Sequence, residues 1–167
     1  MTADEIRLYL KELDDELRRK DVKGEVSIYG GAVMCLVYDA RPATKDVDAV
    51  FKPTSEIRAA IDVIADRHNL SPDWLNDGVK GYIVDHKQRV LFELPNLTVF
   101  VPEPDYLLAM KTLSARVDTF DQSDVRLLIE KLELRSPEEV FDIIEKYYPR
   151  NHIKPATQYF IEELFQK

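Results

Sequence analysis

Tyr29-Gly30-Gly31-Ala32-Val33-Met34-Cys35-Leu36-Val37-Tyr38, followed after a polar loop by Thr44-Lys45-Asp46-Val47-Asp48-Ala49-Val50-Phe51, is the stretch from which the rest is read. Residues 25–29 alternate as a strand and run directly into the two glycines; the small apolar residues 32–38 read as a buried helix. A polar loop over 39–45, containing Arg41-Pro42, leads into a second strand over 46–51. Two roles are open to Gly30 and Gly31. Unpaired N–H groups at a helix start carry partial positive charge, and glycine lets a phosphate approach that backbone with no Cβ in the way. A tight strand-to-helix turn also needs glycine for itself. Asp46 and Asp48 are likewise open to two readings. Residues two apart on a strand face one side, so both carboxylates project into one space, where their repulsion calls for a cation. Mg²⁺, which takes oxygen ligands, answers that need. The alternative is a solvated strand end or a turn cap.

Outward from this stretch, Thr2 and Glu5 form a capping box, and Ile6, Leu10, Leu13 and Leu17 follow helical spacing with charged residues on the other face. Pro53-Thr54-Ser55 starts a helix with Ile57, Ile61 and Ile64 on one side. Ser71-Pro72 predicts a short helical turn, and Asn76-Asp77-Gly78 a reverse turn. Strands over 89–94 and 97–101, joined by Pro95-Asn96, predict a hairpin. Beyond 102 the pattern is helical throughout. Pro104 opens a helix carrying Leu107, Leu108, Lys111 and Leu113. Asp121 or Ser123 opens the next, with Val125, Leu128, Ile129 and Leu132. Ser136-Pro137-Glu138-Glu139 is a capped start, and Pro155 opens a last helix with Tyr159, Phe160, Leu164 and Phe165 as its apolar side. The expected fold class is α+β. Residues 1–102 form a small mixed sheet flanked by helices, and residues 103–167 a helical region packed on it, the two sharing a cleft.

The 167 residues suit this organisation. With 23 Lys and Arg against 31 Asp and Glu the net charge is −8, which argues against strong nonspecific DNA binding. A hydrophobic fraction of 45% supplies a core, and the one cysteine excludes an internal disulfide framework. No apolar run approaches the roughly 18 residues of a membrane helix, and the acidic start is unlike a signal peptide. The expectation is a cytoplasmic protein without a membrane partner.

Gly-Gly, a short helix and Thr44-Lys45-Asp46-Val47-Asp48 together resemble the signature of the DNA polymerase β-like nucleotidyltransferase superfamily. Pro104 to Lys111, followed by Ser114-Ala115-Arg116 and Asp121-Gln122-Ser123-Asp124, resembles the helical stretch of bacterial minimal nucleotidyltransferases. That branch includes toxin-like enzymes of abortive-infection and toxin–antitoxin systems and families of unassigned substrate. The resemblance covers most of the chain from about residue 25 onward. It implies that Gly30 and Gly31 hold the phosphates of an NTP. Asp46 and Asp48 would bind Mg²⁺ (or Mn²⁺) and be catalytic. Lys111 would meet the phosphates, and Arg116, Asp121 and Asp124 would order the cleft wall.

Alternatives stand beside these roles. A Lys on an apolar helix face requires a partner of its own, and Arg116 is equally suited to pair with Asp121 or Asp124. Arg41 and Lys45 flank the metal site and either steady the triphosphate or serve as loop cations; Thr44 caps the strand start. Members of the family usually add a third carboxylate on a later strand. Residues 97–101 offer Thr98 and no acid there. Glu93 is the substitute if the hairpin brings it beside Asp46, and Asp85 sits in a loop.

The expected activity is transfer of a nucleoside monophosphate to an acceptor hydroxyl on RNA, protein or a small molecule, with a protein antitoxin as a possible partner. A catalytically impaired binding or regulatory protein is the alternative. A third reading, a helical adaptor with coincidental motifs, requires the aspartates to lie far from the glycines. Cys35 and Trp74 read as core residues, and His68, His86 and His152 share no metal-ligand spacing. Tyr147 to His152 with Lys154 reads as a partner-contacting patch or a packing loop.

Overall fold

The computed structural model describes residues 1–114 and 119–166. Among them are seven α-helices and one five-stranded mixed sheet. They form two compact units, Met1–Ile83 with Gln88–Pro102, and Val84–Lys87 with Glu103–Lys167.

In the first unit, α1 (Ala3–Arg19) starts at Thr2, whose hydroxyl oxygen accepts from the Glu5 N–H at 3.2 Å. Ile6, Leu10, Leu13 and Leu17 are buried as the helical spacing predicts. Helix α2 (Gly31–Leu36) follows β1 (Gly24–Tyr29), and α3 (Thr54–His68) follows β2 (Val47–Lys52). Then come β3 (Leu75–Asn76), β4 (Gln88–Glu93) and β5 (Leu97–Pro102). The strand order is β3-β2-β1-β5-β4. β1 pairs antiparallel with β2 and parallel with β5, and β4 with β5 makes the expected hairpin, closed by Leu94 N–H on the Leu97 carbonyl at 2.8 Å. Alternate residues Val26, Ile28, Val47, Ala49, Val99 and Val101 are fully buried, the period-2 signature of a sheet with one face in a core. Leu17 of α1 and Ile57 of α3 converge on Gly24, 3.0 and 3.1 Å from where a Cβ would stand. Trp74 is buried, donates its indole N–H to the Ile61 carbonyl at 3.1 Å and meets Tyr9 edge-on.

Several expectations are corrected here. Ser71-Pro72 makes a single turn capped by Ser71, its hydroxyl accepting from Asp73 N–H and its carbonyl from Trp74 N–H, and the chain does not continue into a helix. That turn delivers β3, a strand of two residues and too short for periodicity to reveal. It exists because Val47 N–H reaches the Trp74 carbonyl at 2.7 Å, extending the edge of β2. Asp46 precedes β2 by one residue, so strand alternation governs Asp48 but not Asp46. The charged side of α1 is also not uniformly solvated. Asp14 is 1% exposed and accepts from the Asn96 N–H at 2.6 Å and from Arg18 at 3.0 Å. Asn96 in turn accepts from Gly24 N–H and donates to the Val22 carbonyl. One buried carboxylate thus ties α1, the start of β1 and the hairpin tip together, and so supports the parallel register of β1 and β5.

The second unit contains α4 (Pro104–Ser114), α5 (Thr119–Lys131), α6 (Pro137–Tyr147) and α7 (Pro155–Leu164). Ser136 caps α6, its hydroxyl oxygen accepting from the Glu139 N–H, with Pro137 at the first position as read. α5 is described from Thr119, and Asp121 and Ser123 lie within it. On α7 the buried residues are Thr157 and Ile161, whereas Tyr159 is 66% exposed. The Tyr147-Tyr148 pair belongs to packing. Tyr148 and Tyr106 share a hydroxyl–hydroxyl hydrogen bond of 2.8 Å, Tyr147 donates to Asp105 at 2.6 Å, and His86 stacks on Tyr106 with ring centres 3.8 Å apart. No helix among the described residues is long and apolar enough to cross a membrane.

Two measurements check the packing of the first unit. Asp14→Ala leaves the Asn96 N–H without its acceptor and is expected to lose about 1–3 kcal/mol; Asp14→Asn, which keeps an acceptor oxygen, loses less, as read from urea midpoints. Glu12 meets both Arg67 and His68 where α1 packs on α3. Burial alone raises the Glu12 carboxyl, but these hydrogen bonds outweigh it and hold it below the ordinary glutamate value. A carboxyl depressed in the folded state stabilises the fold above its unfolded pKa, about 4.3, and loses that contribution as pH falls. Glu12→Gln is therefore expected to lower stability by about 0.5–1 kcal/mol at pH 7, with the difference in Tm closing below about pH 4.

Candidate functional site

The antiparallel pairing of β1 and β2 sets Tyr29 opposite Asp48. The exit of β1 and the entry of β2 therefore share one end of the sheet. Gly30 makes the exit with φ 68° and ψ −147°, a region essentially restricted to glycine. A Cβ on Gly30 would stand 2.7 Å from Asp48 Oδ2, so the carboxylate lies directly on the Gly30 backbone. A Cβ on Gly31 would stand 2.8 Å from Arg41 Nη1 and 2.9 Å from Thr44 Oγ1. Each glycine thus lies under a side chain of the site itself, and Gly30 is in addition held to glycine by its positive φ.

The loop that brings Arg41 and Thr44 here is tied at both ends. Asp39 turns with φ 50°, and Ala40 N–H bonds to the Met34 carbonyl at 2.9 Å. At the far end Thr44 N–H reaches the Met1 carbonyl at 2.8 Å, and the Met1 nitrogen donates to the Thr44 carbonyl at 2.7 Å. The Thr44 hydroxyl donates to the Asp46 carbonyl at 3.2 Å, coupling the loop to the head of β2. Gly30, Gly31, Arg41, Thr44 and Asp48 are therefore gathered in one place, with Asp46 adjoining through its backbone. Lys45 is exposed between them. This proximity removes the reading in which the motifs lie on separate surfaces.

The other sequence-derived residues fall elsewhere. Glu93 pairs with Thr98, Thr98 with Glu25, and Glu25 with Lys52. Its row thus crosses β2 at Lys52, four residues and about 13 Å along the strand from Asp48. The hairpin does not bring Glu93 beside Asp46, because register, not proximity in sequence, sets which end of the sheet it occupies. In the second unit the Lys111 side chain is 7% exposed, with its ammonium 2.8 Å from Asp124 and 3.3 Å from Asp121. Two carboxylates therefore already answer its charge, and Asp121 and Asp124 serve that pairing. Arg116 lies outside the described residues.

Two neighbours of Asp48 escaped the sequence reading. Tyr29 faces it across β1, and Asn76 beside it on β3. Tyr29 was adjacent to the glycines but carried no signal until the register was known. Asn76 shapes the local turn, accepting from Gly78 N–H and donating to the Asp73 carbonyl.

Among the described residues no three His, Cys, Asp or Glu side chains converge as a metal-binding group. Mg²⁺ commonly binds through one or two carboxylates while keeping waters and taking substrate phosphate oxygens. Asp46 and Asp48 are the carboxylates that would hold an ion of that kind, arriving with a polyphosphate, and do not make an all-protein cage. A pocket of about 460 Å³ lies against the start of α1, lined by Arg7, Cys35, Asp39 and Pro42 among others; Gly30, Gly31, Asp46 and Asp48 are not in its lining. No family model, curated protein or solved structure matches the chain.

The two glycines are expected to behave differently on substitution. Gly30→Ala forces a left-handed backbone and drives a methyl into Asp48, at a cost of about 1–3 kcal/mol. Gly31→Ala meets the far end of a flexible Arg41 side chain, which swings aside, so its Tm falls less. Paired thermal melts check the order.

Proposed function

We propose that this chain is a nucleotidyltransferase-fold protein that binds an NTP with Mg²⁺ and transfers its nucleoside monophosphate to an acceptor hydroxyl. The observation that carries the reading is the seating of an Asp48 carboxylate and an Arg41 guanidinium on two consecutive glycines, with Asp46 adjoining. A polyphosphate needs local positive charge in a chain whose net charge is −8, and Arg41 and Lys45 supply it at this end of the sheet. A guanidinium offers phosphate oxygens a planar fork of donors. The bare backbone of Gly31 leaves room for the Arg41 guanidinium directly above it.

In the proposed reaction the acceptor oxygen bonds to the α-phosphorus as the bond to the bridging α–β oxygen breaks. Pyrophosphate leaves, and the hydroxyl proton passes to solvent. When bound, Mg²⁺ would supply charge neutralisation on the phosphates, the larger part of what phosphoryl transfer requires. Asp48 and Asp46 would hold that ion. Thr44 fixes the loop between them, and Arg41 orients the phosphates.

A second reading rests on the position of Glu93. With no third carboxylate joining the pair among the described residues, the same site suits a protein that binds nucleotide without transferring it, in a regulatory role or as one half of a toxin–antitoxin pair.

Titration calorimetry with ATP, GTP, CTP and UTP in the presence of Mg²⁺ tests the shared premise. Binding of at least one NTP is expected, weakened about tenfold or more by Asp48→Ala, since a metal-bridged or charge-assisted contact is lost. No heat with any of the four overturns the proposal. Incorporation of α-labelled NTP into RNA, protein or small-molecule fractions, abolished by Asp46→Asn, separates the transferase from the binding protein.

A further inference from the structure

We infer that residues 39–45 form a flap at the glycine end of the sheet, hinged at Asp39 and latched by the short strand Met1-Thr2. The flap itself follows from backbone hydrogen bonds; its bearing on ligand exchange rests on the nucleotide reading. At the latch, Thr44 N–H bonds to the Met1 carbonyl at 2.8 Å and the Met1 nitrogen donates to the Thr44 carbonyl at 2.7 Å. Thr2 and Ala43 form an antiparallel bridge beside them. The fixed side of this small ladder is α1. The Thr2 carbonyl accepts from Ile6 N–H at 3.0 Å and its hydroxyl from Glu5 N–H, so the strand runs straight into a helix whose apolar stripe is buried. At the hinge, Asp39 has φ 50°, a left-handed conformation that Asp tolerates better than most residues. Ala40 N–H bonds to the Met34 carbonyl at 2.9 Å, and rotation of the Asp39 backbone carries that N–H away.

Between hinge and latch no residue is buried. Asp39, Ala40, Pro42, Ala43 and Lys45 are exposed, and Arg41 and Thr44 are half-buried. A segment with no buried side chain opens at a lower free energy than the strands beside it, and Val26, Ile28, Val47 and Ala49 of those strands are fully buried. The space behind the segment agrees. The pocket of about 460 Å³ is lined both by Asp39 and Pro42 of the segment and by Asp4 and Arg7 of α1, so the two are not packed face to face there. The segment is therefore held to α1 through its end, at Ala43 and Thr44, and can lift without disrupting a core.

Opening matters because of what the flap covers. Arg41 Nη1 and Thr44 Oγ1 stand 2.8 and 2.9 Å from where a Cβ on Gly31 would be. The side of Gly31 that its missing Cβ leaves bare is thus covered while the latch is closed, as it is in this structure. A phosphate that uses this bare side reaches it only with the flap lifted. The Thr44 hydroxyl also donates to the Asp46 carbonyl at 3.2 Å, so lifting the flap releases the head of β2 as well. The Met1-Thr2 strand, distant from the glycines in sequence, therefore sets how often the glycine end of the sheet is open to a ligand.

The test is amide hydrogen exchange on the full chain, read by NMR. The Ala40 and Thr44 amides are expected to exchange through one shared opening, about a hundredfold or more faster than the hydrogen-bonded amides of β1 and β2. Exchange of the two only along with β1 and β2 overturns the flap, and so do two separate openings with different denaturant dependence. In the double variant Thr2→Cys with Ala43→Cys a disulfide ties the latch, since facing residues of an antiparallel pair lie within disulfide reach. Oxidation is expected to slow exchange at Ala40, which lies three residues from the tether, about tenfold or more, and reduction to restore it. Both forms lack the Thr2 hydroxyl, so comparing them isolates the latch; thermal melts of both confirm folding. A disulfide that does not form, or Ala40 exchange that ignores it, overturns the inference. Stopped-flow binding of N-methylanthraniloyl-ATP with Mg²⁺ is expected to be about tenfold slower in the oxidised form than in the reduced form. Equal rates overturn the control of ligand exchange. Absence of binding to the unaltered protein and to both forms counts against the nucleotide reading alone, and the exchange data still decide the flap.

Discussion

The antiparallel register that puts Tyr29 opposite Asp48 is the constraint on which the rest of the site depends. Antiparallel neighbours exchange hydrogen bonds at fixed positions, so the place where β1 ends dictates which residue of β2 stands beside that end. Shifting the pairing by one residue would turn Asp48 toward the buried face now filled by Val47 and Ala49. The buried set and the polar set of β2 are thus two consequences of one register. Gly30 then has to bend the chain away under a carboxylate already in place, which explains its positive φ. The 37–46 segment must return the chain to the same end of the sheet, and so passes Arg41 and Thr44 over Gly31.

Charge is handled differently in the two units. In the second, Lys111 is almost fully buried between Asp121 and Asp124. A desolvated ammonium with two carboxylates within 3.3 Å belongs to a packed network, and removing one member of such a network strands the others. Arg41 in the first unit is half-buried, on a loop, over a residue with no side chain. Both cations carry the same sign and were drawn into the same functional expectation by the resemblance. Their surroundings separate them: the one is buried between two carboxylates of its own unit, the other lies over Gly31, next to the glycine on which Asp48 rests.

Polar groups also support the scaffold away from the site. Asp14, within the charged side of α1, is spent on the Asn96 amide and on Arg18. A parallel pair such as β1 and β5 has no connecting turn to align it, and this carboxylate with the Asn96 bonds supplies the alignment from outside the sheet. Glu12 with Arg67 and His68 does the comparable task for α1 and α3.

Long amphipathic segments and their caps were legible in the residues alone. Thr2 and Ser136 cap as read, Pro95-Asn96 turns the hairpin, and the apolar stripe of α1 is buried. These signals are local, since a cap or a helical stripe depends on neighbours within a few positions. The two-residue β3, the burial of Asp14 and the exposure of Tyr159 were not legible, because each depends on an element distant in the chain. The same division runs through the site. The sequence by itself determined that two glycines would end a strand and that an Asp-x-Asp pair would stand at the entry of the next, with Asp46 one residue ahead of it. Only the tertiary structure decided that Asp48 rests on Gly30, that Arg41 and Thr44 rest on Gly31, and that Glu93 stays at the other end of the sheet. The reason is that strand order and register are set by the packing of the whole sheet against its helices, and no short run of residues encodes them.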